Sequence, residues 1–233
     1  MEEIKNSIRS TAKLELKSVS KSFSTKTEGR LDVLKGVSLA LESGNILRLS
    51  GASGSGKTTF MNVVSALIPP DSGTILFNGT DITHLRESGK DRFRAENVGY
   101  IFQTFNLLSP YSVVENVYAP LAFAGKLGDG YRERAMKALE RVEMAGFADK
   151  LPYHLSVGQR QRVAIARVLF AKQRLILADE PTASLDEHSS ELVREVLHEL
   201  SENGAILIFS SHDATFDIFR TDMTFNLETG RIS

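Results

Sequence analysis

The chain has 233 residues, 42% hydrophobic and 24% charged, proportions that suit a globular protein and exclude a wholly disordered or fibrous one. Its 28 Lys and Arg against 29 Asp and Glu give a formal net charge of -1, without the broad basic field expected of a protein devoted to nucleic acid, so no nucleic-acid partner is expected. No cysteine occurs, which excludes disulfide scaffolds, zinc fingers, iron–sulfur ligation and thiol nucleophiles.

Met1 to Lys13 form a polar N-terminal extension, 1–13, without the apolar core of a signal peptide, and 14–233 reads as one domain. Residues 14–23, LELKSVSKSF, alternate as a strand does, and the polar STKTEGR after them reads as a turn or loop. In 33–50, VLKGVSLALESGNILRLS, two apolar strands are broken by Glu42-Ser43-Gly44, a tight-turn composition. GTILFNGTDI at 73–82 predicts a hairpin, so the opening third is β-rich, with one helix starting at Gly56. From Phe105 to about Ala171 strand patterns thin out, and Met136, Leu139 and Val142 recur every third residue between charges. This predicts a helical sub-domain of about 104–171 inserted into an α/β core. RLILAD at 174–179 and GAILIFSS at 204–211 are short apolar runs of the kind buried in a parallel sheet. A helix with Leu192, Val193, Val196, Leu197 and Leu200 on one face joins them into a βαβ unit. The longest apolar stretches, such as Val63 to Ile68 and Ala205 to Phe209, fall far short of the roughly 20 residues of a spanning helix, so no direct membrane insertion is expected.

Gly51-Ala52-Ser53-Gly54-Ser55-Gly56-Lys57-Thr58 matches G-x-x-x-x-G-K-[ST], following the strand NILRLS and opening the apolar helix KTTFMNVVSALI. Gly51, Gly54 and Gly56 let backbone N–H groups curl around phosphate oxygens, the helix N-terminus adds its positive end, and Lys57 neutralises the β and γ phosphates. Thr58 is a candidate ligand of Mg²⁺, and Thr59 beside it completes the candidate nucleotide-binding set. RLILAD ends in Asp179, followed by Glu180, the strand-end carboxylates that P-loop NTPases use for metal and water. Asp179 is expected to face Mg²⁺ and Glu180 to act as general base. The predicted fold is α/β: a P-loop NTPase core with a mixed or parallel sheet, an N-terminal antiparallel β sub-domain and the inserted helices.

At Leu155-Ser156-Val157-Gly158-Gln159, followed by RQRVAIARVL, the chain resembles the signature of ATP-binding-cassette ATPases, usually L-S-G-G-Q ahead of a basic-apolar helix. The resemblance runs from about Leu14 to Ile232. Within it Gln103 of GYIFQTFNLL resembles the Q-loop, implying a role at Mg²⁺ and in catalysis. Ser184-Leu185-Asp186 resembles the D-loop, His212 of IFSSHD the switch histidine, and Phe23 the aromatic that stacks on adenine. His84, His154, His188 and His198 receive no role. FRAENVGYIFQTFNLLSPYSVVENVYAPLAFAG is similar to the branch serving lipoprotein release, macrolide or peptide efflux, and cell division.

The resemblance implies an ATP-hydrolysing subunit of a transporter, an ATP-dependent homodimer in which Ser156, Gly158, Gln159 and Asp186 of one copy complete the site at Lys57 and Thr58 of the other. It implies a separate integral-membrane permease as partner and a peripheral place on the cytoplasmic face of the inner (plasma) membrane. The alternative within the branch is a cell-division ATPase that transmits force to cell-wall enzymes without moving a substrate. The 53 positions from Gln103 to Ser156 leave no room for the long coiled coils of DNA-repair members. Phe105, Leu107 and Leu108 fit either the core of the helical sub-domain or a groove for a permease helix, and the two uses can coexist. Val157 departs from the usual glycine: it is a brake if its backbone needs positive φ, and tolerated if φ is negative and Cβ turns away from the nucleotide.

Overall fold

In the computed structural model, which describes residues 11–25, 29–183, 185–211, 221–227, 229 and 231–232, the chain opens on β1 (Lys13–Thr25), β2 (Gly29–Glu42) and β3 (Ile46–Ser50). The helix α1 (Lys57–Val64), β4 (Ser72–Phe77) and β5 (Thr80–Asp81) follow. β2, β1, β4 and β5 lie side by side in that order as an antiparallel sheet. The hairpin β1–β2 is longer than its polar composition suggests. STKTEGR is not a loop throughout, because Ser24 pairs with Arg30 and Thr25 with Gly29, extending the ladder that already sets Phe23 opposite Leu31. The turn after Glu42 carries the chain out of this sheet into β3, the start of a second one.

The helix α2 (Glu87–Asn97) buries only Phe93, so it has no repeating apolar stripe from which periodicity could predict it. After β6 (Val98–Ile101) come α3 (Val113–Phe123), α4 (Tyr131–Arg141) and α5 (Val157–Ala171), the helices expected between the two halves of the core. β7 (Leu175–Asp179), α6 (Glu187–Glu202) and β8 (Ile206–Ser210) form the expected βαβ unit, with β7 and β8 parallel. β9 (Met223–Asn226) and β10 (Arg231–Ile232) complete a six-stranded sheet ordered β10-β9-β3-β8-β7-β6, parallel except for the β9–β10 pair.

The apolar runs of β7 and β8 are continuous because both faces of this sheet are covered. Leu175, Leu177, Ile206 and Ile208 join a core with Phe60 and Met61 of α1 and the inner face of the antiparallel sheet. Ile176, Ala178, Leu207 and Phe209 join a second core built with α3, α4, α5 and α6. Leu192, Val193, Val196, Leu197 and Leu200, predicted to share a helix face, are all buried there. The carboxyl ends of β3, β7 and β8 meet at one edge of the sheet, where α/β proteins place ligands. Among the described residues, no helix is long and apolar enough to cross a membrane.

Candidate functional site

The loop from Gly51 to Gly56 joins β3 to α1. Gly54 has φ 81° and Gly56 φ 104°, and a Cβ on Gly56 would lie 2.2 Å from Cγ1 of Val33 in β2. The hairpin therefore reaches over the loop at a point where only glycine fits. Lys57 Nζ donates to the carbonyls of Gly51 at 2.8 Å and Ala52 at 3.1 Å, folding the ammonium back over the loop. Ser55 Oγ is shut off from solvent and has no hydrogen-bond partner. An unsatisfied hydroxyl in a glycine-rich loop that opens a helix suits an incoming oxyanion.

Beside the loop lies a cleft of about 640 Å³ lined by Ser53, Gly54, Gly56, Lys57, Thr58, Thr59, Gln103, Asp179, Glu180, Thr182 and Ala183. Thr58 Oγ1, in the first turn of α1, donates to Asp179 Oδ2 at 2.6 Å although 121 residues separate them. Asp179 ends β7, buried, and its other carboxylate oxygen accepts from Ser210 Oγ at 2.7 Å. Glu180 follows with φ 48°, a left-handed turn that takes it off the strand, and its N–H donates to both Ser210 O and Ser210 Oγ at 3.2 Å. The hydroxyl of Thr58, the carboxylate of Asp179 and the amide of Gln103 thus face one space. Hard oxygen donors of this kind fit Mg²⁺.

Gln103 is exposed in the segment after β6, where Phe105 and Asn106 both adopt positive φ, 64° and 48°. That turn is held by Arg167 of α5, whose guanidinium donates to the carbonyls of Phe105 at 3.0 Å and Asn106 at 2.9 Å. Burial pushes the Arg167 guanidinium down to about 10. Arg160, two turns earlier, sits 5.7 Å from the centre of the Phe105 ring. Leu107 packs against the helical core, while Phe105 and Leu108 are half-buried.

Ser156, Gly158 and Gln159 stand apart from the cleft, at the start of α5. Ser156 caps the helix: its Oγ accepts from Gln159 N at 3.2 Å, and its N–H donates to Gln159 Oε1 at 2.9 Å. Val157 opens α5 without positive φ, and it is 41% exposed. Asp186 also lies outside the cleft, capping α6 through Ser189 N at 2.8 Å and Ser189 Oγ at 2.9 Å. Phe23 is 40% exposed on β1, with the Lys21 ammonium 5.6 Å from its ring centre, and it does not line the cleft. His212 and Ser184 fall outside the described residues.

Sequence reasoning missed Thr182, Ala183, Arg167 and Ser210. The signals were present for two of them: an arginine between the buried Ala166 and Val168 of an apolar helix, and a serine ending the wholly buried run Ile206 to Phe209. His188, left without a role, places Nε2 3.0 Å from Glu143 Oε2, which also takes Arg162 Nη1 at 3.1 Å.

The family model described as ABC transporter matches residues 34–183. A macrolide export ATP-binding/permease protein, MacB, of Campylobacter jejuni is 44% identical over 188 residues, covering 81% of this chain and 29% of that protein. A pyoverdine export ATP-binding/permease protein, PvdT, of Pseudomonas aeruginosa is 38% identical over 210 residues, covering 90% of this chain and 32% of that one. The chain therefore spans about a third of the length of these relatives. Among solved structures, a dimeric post-hydrolysis state of the ATP-binding cassette MJ0796 bound to ADP and Pi superposes with TM-score 0.87 at 33% identity, covering 94% of this chain and 97% of that one.

Proposed function

Because the chain belongs to the ABC transporter family, we propose that it binds and hydrolyses ATP and that this drives a membrane permease of the export type. The observation that carries the reading is the bond from Thr58 Oγ1 to Asp179 Oδ2, 2.6 Å long, beneath the glycine-rich loop. It joins a phosphate-binding helix to the carboxylate end of a parallel strand, with Glu180 one residue further on and in the same cleft.

In this reading the γ and β phosphates enter the loop of Gly51 to Thr58, and Lys57 exchanges the carbonyls of Gly51 and Ala52 for phosphate oxygens. Thr59 and the N–H groups at the head of α1 add donors. Thr58, Asp179 and Gln103 would hold Mg²⁺, which would supply positive charge for the phosphates. Glu180 takes a proton from the attacking water as its oxygen bonds to the γ-phosphorus and the bridge to ADP breaks. The left-handed backbone at Glu180 turns its side chain from the line of β7 toward the cleft. Phe23 stacks on the adenine, and His212 contacts the γ-phosphate.

The signature, Ser156 to Gln159, with Ser156 and Val157 exposed, serves the cleft of a second copy, a use supported by the dimeric cassettes to which the chain is similar. Closure then responds to the γ-phosphate, and its loss lets the two copies part. The export relatives favour efflux over force transmission in cell division. The place that follows is peripheral, on the cytoplasmic face of the membrane that holds the permease.

The test is Glu180→Gln. Steady-state release of phosphate should fall by at least about a hundredfold, while an ATP analogue binds within about threefold of the parent affinity, because the amide takes no proton. Hydrolysis near the parent rate would remove Glu180 from the role of base.

A further inference from the structure

We propose that Ser210 is a positioning residue for hydrolysis, one hydroxyl that sets both the metal-side carboxylate and the backbone of the base; the proposal rests on the ATPase reading. Ser210 ends β8, fully buried, in parallel register with Asp179. Its Oγ donates to Asp179 Oδ1 at 2.7 Å and accepts from Glu180 N at 3.2 Å, so the same atom touches two consecutive residues of the neighbouring strand end.

Each bond answers a separate need. Thr58 Oγ1 occupies Oδ2 of Asp179, and with Ser210 on Oδ1 both carboxylate oxygens are tied, which stops rotation of the group about its terminal torsion. Glu180 stands at φ 48°, a conformation that non-glycine residues seldom adopt. Its N–H is gripped there by the carbonyl and the hydroxyl of Ser210 together.

The sequence context makes the hydroxyl conspicuous. Ile206, Leu207, Ile208 and Phe209 are all apolar and buried, and a polar atom at the next position costs stability unless it is bonded. An apolar side chain would satisfy the sheet equally well. A serine satisfies the sheet and also answers Asp179 and Glu180, a strand-end pair whose geometry must hold to within about 0.5 Å for catalysis.

The decisive variant is Ser210→Ala, which removes only the oxygen. We expect kcat to fall about tenfold, the loss of one hydrogen bond to a charged group, with the KM for ATP held within about twofold. Two measurements do not depend on turnover. Binding of a non-hydrolysable ATP analogue without Mg²⁺ should match the parent, whereas the Mg²⁺ concentration that gives half of the metal-dependent gain in binding should rise about threefold. Ser210→Thr, which keeps the hydroxyl, should recover most of the lost kcat.

An unchanged kcat in Ser210→Ala overturns the proposal. So does a loss of kcat that only follows the unfolded fraction measured by denaturation, or a threonine variant no better than alanine when both are corrected for folded protein. Glu180→Gln run alongside separates the two levels of argument. If hydrolysis survives in Glu180→Gln, the assignment of the base fails; if it is abolished there and untouched in Ser210→Ala, only the role of Ser210 fails.

Discussion

The two central positions of the signature segment face different surroundings. A Cβ on Gly158 would already lie 3.4 Å from Leu185 Cδ2 and 4.0 Å from Ser189 Oγ, so the branches of a larger side chain would have to displace the segment that leads into α6. Val157, one residue earlier, opens α5 with ordinary helical backbone and a side chain directed to solvent. The strain of on the order of 1 to 2 kcal/mol that a β-branched residue pays at positive φ does not arise here. Val157→Gly should therefore change turnover by less than about tenfold, ~1.4 kcal/mol of barrier, while Gly158→Val should lose most of it. Steady-state hydrolysis of both variants checks this, and a larger gain in Val157→Gly would restore the view of Val157 as a brake.

At the scale of elements, α4, α5 and α6 are joined at their margins by charge. Glu143, just after α4, receives Arg162 of α5 and His188 of α6, and Asp186 at the head of α6 adds to the field at His188. The hydrogen bond to Glu143, then its charge, raises the pKa of His188, and the hydrogen bond from His188 lowers that of Glu143. A raised histidine stabilises fully below its unfolded value, about 6.5, and the effect is lost as pH rises through the folded value. A lowered glutamate stabilises above its unfolded value, about 4.3, and loses the effect as pH falls through the folded one. The pair thus contributes most between about pH 4.3 and 6.5. His188→Ala should cost more stability at about pH 6 than at about pH 8.5, and high salt should narrow the difference because both groups are exposed. Denaturant titrations of parent and variant at the two pH values give the comparison, and an equal loss at both would separate His188 from Glu143. Sequence patterning located α4 through Met136, Leu139 and Val142 and β7 and β8 through unbroken apolar runs, because burial writes its period into the chain. It had no hold on α2, which buries one side chain, nor on the Glu143 junction, whose partners are 19 and 45 residues apart. The loop of Gly51 to Thr58 was legible for a different reason: its chemistry requires those residue types at fixed spacing.

For the whole molecule, the separation of the signature residues from the cleft is what the proposed second copy would bridge. With hydrolysis blocked by Glu180→Gln, ATP should convert a largely monomeric species into a dimer in sedimentation, and one unchanged species with and without ATP would defeat the head-to-tail arrangement. Within one copy the six-stranded sheet is a common wall between two cores, and alternate residues of β7 and β8 look into opposite ones. Neighbours along a single strand therefore answer to different halves of the protein. Leu177 packs with the antiparallel sheet and α1, and Ala178, one peptide bond away, packs with α3, α4 and α5. Both halves are thus packed against the one short strand that ends at Asp179 and hands the chain on to Glu180.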